Sequence, residues 1–172
     1  LFAWLNGFAP GLIDRGLVGK LAATLWASER ADAPGRYAVV NPGAGIPARY
    51  YDRFASWLAD RGVPTLTYDY RGIGASAPRS LKGFRASVED WGSKDYAAVG
   101  DAMGRRYPGA LACVVGHSIG GFVTGLAPGG ERIGRMVLIG AHTGYWRDYA
   151  RRVRLPMFVV GTERDHVAPW RS

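Results

Sequence analysis

A single cysteine, Cys113, stands among 172 residues, so an intrachain disulfide is impossible and a cysteine-built metal site is excluded. That scarcity favours a reducing compartment, and a cytoplasmic location is the expectation. No apolar run approaches the roughly 20 residues that a membrane-spanning helix needs. The opening LFAWLNGFAPGLI is apolar, but Asn6, Gly7, Pro10 and Gly11 interrupt it and no basic residue precedes it, so it reads neither as a signal peptide nor as a span. Residues 1–16 are therefore expected to be a packed or surface-lying apolar segment ahead of one domain over 17–172. A first residue that is Leu rather than Met fits a processed product or a fragment. Lysine is scarce as well: Lys20, Lys82 and Lys94 are the only ones, and the net charge of +8 rests on arginine. The arginines are scattered, with Arg151, Arg152 and Arg154 the densest group, and no aromatic-interleaved basic stripe accompanies them. That pattern is a solvated surface, and no nucleic-acid partner is expected.

What the chain has in quantity is glycine and proline, 25 and 10 residues, and they fall between short apolar runs. Strands are expected within 17–27 and at 37–41, 63–70, 110–116, 135–141 and 156–162, each apolar and several rich in β-branched residues. Between them, Tyr51, Phe54, Ala55 and Leu58 follow helical spacing within 48–60, and Val88, Trp91, Tyr96, Val99 and Met103 do so within 88–107. Gly62 with Pro64, and Pro108 with Gly109, mark the two stops. Strands alternating with helices, and apolar on both faces, give an α/β class with a parallel sheet covered on both sides. The connection from His142 to Arg154 suffices for a minimal crossover and leaves no room for an inserted cap, which implies an open pocket.

Residues 113–121, CVVGHSIGG, do not fit simple packing. The spacing G-x-S-x-G at the end of a buried strand and the start of a helix puts the serine on a sharp turn with its hydroxyl outward. A phosphate-binding alternative would need G-x-G-x-x-G in the first strand-to-helix turn, and GIGASA at 72–77 lacks the third glycine and follows a later strand. A serine hydroxyl needs a base to take its proton, an acid to orient that base, and two donors for the developing oxyanion. Ser118 is the candidate nucleophile, and the Ile119 amide, free at a helix N-terminus, is the first oxyanion donor. Asp69, before the nucleophile and beside Arg71, reads as a structural salt link or a turn residue.

In this order, NPGAGIPARYYDRFASWLADRG, LTYDYRGIGAS, GHSIGG and GTERDHVAP resemble the α/β-hydrolase superfamily, specifically bacterial serine hydrolases of the esterase and lysophospholipase branch. The closing DHVAPWRS is also similar to a segment of polyhydroxyalkanoate synthases, acyltransferases of the same fold that usually carry cysteine where this chain has Ser118. The resemblance implies a three-layer sandwich with a mostly parallel sheet, Asp165 as the acid, and Gly43 or Ala44 as the second oxyanion donor. It also implies the order Ser, acid, His with one further strand before the histidine. Seven residues follow Asp165, so the base is expected beyond Ser172 and the final strand and helix are expected to be missing. His117 and His166 adjoin the nucleophile and the acid and are poorly placed as bases. His117, His142, Tyr145 and Trp146 are expected to line the pocket. The expected function is hydrolysis of a small ester or related acyl compound through an acyl-enzyme, with no metal or organic cofactor. Acyl transfer of the synthase type, or an incomplete hydrolase domain that only binds, are the alternatives.

Overall fold

β-branched and aromatic runs pack well on a pleated surface, and glycine and proline clusters supply the turns between them. A computed structural model describes residues 12–14, 20–28, 35–141 and 157–160. Its strands are β1 (Leu12–Asp14), β2 (Lys20–Trp26), β3 (Arg36–Asn41), β4 (Thr65–Tyr68), β5 (Leu111–His117), β6 (Ile133–Ile139) and β7 (Met157–Val160). They form a seven-stranded sheet in the order β1-β2-β4-β3-β5-β6-β7. β2 runs antiparallel to β1 and β4, while the pairs from β4 across to β7 are parallel. The expected strands are all present, and β1 is an addition inside the segment read as merely apolar.

Alternation along the central strands divides the core. Tyr37 and Val39 of β3 and Ala112 and Val114 of β5 pack with Tyr96, Val99, Met103 and Val123, whereas Val40 and Val115 pack with Tyr51, Ile46 and Val137. Successive side chains leave opposite faces of a strand, so both faces are covered and the α/β sandwich has three layers.

A 3₁₀ turn at Ala48–Tyr51 leads into α1 (Asp52–Ala59). The buried stripe is Tyr51, Ala55 and Ala59, and Phe54, expected inside, is 38% exposed and stacks on Trp57 with ring centroids 6.3 Å apart. The two alanines let the helix lie close to the sheet, which turns Phe54 outward. The second helical stretch is α2 (Val88–Asp90), a π turn (Trp91–Tyr96) and α3 (Ala97–Arg106). Trp91 and Tyr96 are five residues apart, too far for one face of a regular helix, and the wider π turn reconciles them. The same turn buries Asp95, whose carboxylate accepts from the Arg71 backbone N–H and Nε, both at 2.8 Å. Arg71 thus pairs with Asp95 and not with Asp69. Asp69 keeps the turn role, accepting from the backbone N–H groups of Ala48 at 2.6 Å and Ala75 at 2.8 Å. Cys113 lies half-buried in β5, and burial pushes its thiol up despite Arg36 and Arg135 nearby.

Candidate active site

The chain moves from β3 outward to β4 and then returns to the other side of β3 to lay down β5. Order reverses between β3 and β5, and in open α/β sheets the crevice outside the carboxyl ends at such a point receives ligands. Asn41 and Gly116 are register partners there, so the loop after β3 and the turn after β5 leave the sheet side by side.

The turn after β5 is tight. Ser118 has φ 52° and ψ −122°, and it is the one non-glycine residue with positive φ among the described residues. An L-residue is strained there, and strain of this kind persists only where the surroundings enforce it. The Ser118 N–H donates to the Ile139 carbonyl at 2.9 Å, and Gly121 N–H donates to the Ser118 carbonyl at 3.1 Å. α4 (Ile119–Leu126) starts immediately afterwards, and the Ser118 side chain does not cap it. The hydroxyl is therefore not spent on the helix end. The flanking glycines are required by close approach: a Cβ on Gly116 would lie 2.6 Å from Gly121 Cα, and one on Gly120 would run into the Asn41 carbonyl oxygen.

A buried polar chain braces the helix. Tyr68 Oη–H donates to Asn41 Oδ1 at 2.7 Å, Asn41 Nδ2–H to Thr124 Oγ1 at 2.8 Å, and the Thr124 hydroxyl to the Gly120 carbonyl at 2.9 Å. Asn41 is fully buried, so its amide would be costly without these partners. Sequence reading passed over these three side chains. The available signal was the asparagine that ends the otherwise apolar run YAVVN.

On the loop after β3, the Gly43 N–H donates to the Tyr51 hydroxyl at 3.0 Å, and the same hydroxyl lies 2.7 Å from His117 Nδ1. Burial raises the Tyr51 phenol, and the Gly43 donor partly offsets it. A Cβ on Gly43 would lie 2.8 Å from Ile46 Cδ1 and 3.3 Å from His117 Nδ1. Gly43, Tyr51, His117, Ser118 and Ile119 are thus brought to one sheet edge, with Ala44 exposed on the loop. Asp165, His142, Tyr145, Trp146 and His166 lie outside the described residues, as does the 142–154 connection. Among the described residues no cluster of three or more His, Cys, Asp or Glu could hold a metal, and no helix is long and apolar enough to cross a membrane.

The fold has many solved counterparts. A lidless α/β serine hydrolase from Xanthomonas campestris is 14% identical with a TM-score of 0.62, over 86% of this chain and 82% of that one. An α/β serine hydrolase homologue from Coxiella burnetii is 19% identical with a TM-score of 0.67, over 92% and 76%. A probable hydrolytic enzyme from Pseudomonas aeruginosa is 25% identical with a TM-score of 0.59, over 79% of this chain but 43% of that one. The family model described as serine aminopeptidase, S33, matches residues 32–172. That match runs through the loop after β3, the serine turn and the region beyond β6, and the chain belongs to this S33 family of the α/β-hydrolase superfamily.

Proposed function

We propose that the protein is a serine hydrolase that cleaves an ester or related acyl compound through an acyl-enzyme on Ser118. The observation that carries this reading is the strained backbone of Ser118 at the sheet's switch point, which no packing or capping need accounts for. Ser118 Oγ attacks the acyl carbonyl while its proton passes to a histidine base oriented by Asp165. The Ile119 amide and a donor from the Gly43–Ala44 loop hold the oxyanion of the tetrahedral intermediate. Its collapse breaks the bond to the leaving alcohol, which takes the proton from the base. Water then repeats the sequence on the acyl-enzyme and releases the acid.

The family description names aminopeptidases, and an aminoacyl arylamide would form the same acyl-enzyme, so it belongs beside esters in any substrate panel. An open pocket favours short or water-soluble acyl groups, since long chains need a covered apolar groove. The experiment is stopped-flow hydrolysis of p-nitrophenyl acetate by the full-length protein. A burst of p-nitrophenol close to one per chain, lost in Ser118→Ala, is the expected result. Turnover unchanged in Ser118→Ala would refute the assignment.

A further inference from the structure

We infer that the Tyr51 hydroxyl is a positioning group that clamps the loop after β3 to the serine turn, so that Ala44, and not Gly43, supplies the second oxyanion amide. The inference rests on the acyl-enzyme reading above and adds to it which amide acts and what holds it.

Tyr51 is buried at the start of α1, and its ring meets the His117 ring edge-on at 6.0 Å between centroids. A phenol has one proton to give and can accept in return. Its oxygen already accepts from Gly43 N–H at 3.0 Å, so the proton is free for His117 Nδ1 at 2.7 Å. This direction satisfies all three groups and leaves His117 protonated on Nε2. Two consequences follow. His117 has no free nitrogen lone pair and is unsuited to act as the base, although it adjoins Ser118. The Gly43 N–H is occupied, so of the two candidate amides only Ala44 is left to meet an oxyanion.

The clamp spans the gap between the two halves of the site. Gly43 belongs to the loop after β3, His117 is the last residue of β5, and Tyr51 ends the 3₁₀ turn that leads from that loop into α1. The Gly43 carbonyl also accepts from Ile46 N–H at 3.1 Å, so the loop is fixed on both sides of the peptide that precedes Ala44. An oxyanion donor acts only if it is held where charge develops, and a misplacement of about 1 Å can cost about a hundredfold in rate.

The test is made on the full-length protein with three readouts: hydrogen exchange at 42–47, the rate of Ser118 labelling by a fluorophosphonate, and ester kinetics. Tyr51→Phe is expected to lose exchange protection at Gly43, to label about ten- to a hundredfold more slowly, and to lower kcat with KM within about twofold. His117→Ala should behave alike, His117→Asn should recover most of the loss because its Oδ1 can replace Nδ1, and the double variant Tyr51→Phe/His117→Ala should be no slower than either single one. A merely structural tyrosine would change Tm without this split or this non-additivity. Labelling and kcat within twofold of the parent in Tyr51→Phe would overturn the inference, and if that variant does not fold, labelling and kcat within twofold of the parent in His117→Ala would do so. Labelling that survives Ser118→Ala would instead defeat the serine reading and the catalytic part of the clamp with it.

Discussion

Individual residues carry the strain and the close contacts of the site. Ser118 sits at φ 52°, where glycine is at ease and serine is not, so Ser118→Gly should raise stability by about 1 kcal/mol while removing the proposed nucleophile. Denaturant titration of Ser118→Gly beside Ser118→Ala checks it, and equal stabilities would mean that the turn stores no strain. Gly120 is the opposite case, because a Cβ there collides with the Asn41 carbonyl oxygen and approaches that of Pro42 to 2.8 Å. Gly120→Ala should cost about 3 kcal/mol or more, read as lost soluble yield or a lowered denaturation midpoint. The motif was legible because its residue types answer to this local geometry. Tyr51 was not legible in the same way: an apolar helical position and a hydroxyl clamp have identical spacing, and only the fold brings Gly43 and His117 to its oxygen.

Among the elements, alternation and helical spacing in the sequence mark nearly all strands and the helical stretches at 48–60 and 88–107. Two details depended on partners distant in sequence. Phe54 faces outward because Ala55 and Ala59 allow α1 close to the sheet, and the π turn at Trp91–Tyr96 arises where Asp95 must reach Arg71. The ion pair holds an Asp95 that is fully buried against an Arg71 side chain 12% exposed. Arg71→Met should therefore cost about 3 kcal/mol, since it strands a buried carboxylate, and equilibrium unfolding measures this. At the start of α2, Ser87 and Asp90 form a reciprocal cap. Lys94, then the Ser87 backbone N–H, hold the Asp90 carboxyl down at about 2. A carboxyl lowered on folding stabilises the native state above its unfolded value of about 3.9, and that contribution is lost as pH falls from there toward 2. Asp90→Asn should flatten the acid limb over that interval, leaving the variant less stable than the parent above about pH 4 and alike near pH 2, which urea titrations across pH measure.

For the molecule as a whole, the topology decides where chemistry can occur. β3 and β5 lie side by side, their carboxyl-end loops diverge at the switch point, and the turn after β5 holds a serine, not a glycine, at positive φ. The class of fold and the sharp turn at Ser118 were readable from sequence because they follow from strand order and one local motif. The acid and the pocket residues after β6 are expectations from resemblance alone, and they lie outside the described residues. The most direct measurement is peptide mass spectrometry of the full-length protein after reaction with a fluorophosphonate. The account predicts one adduct per chain, on the peptide containing Ser118, and none in Ser118→Ala. An adduct on another residue, or a folded and catalytically active protein without one, would contradict it.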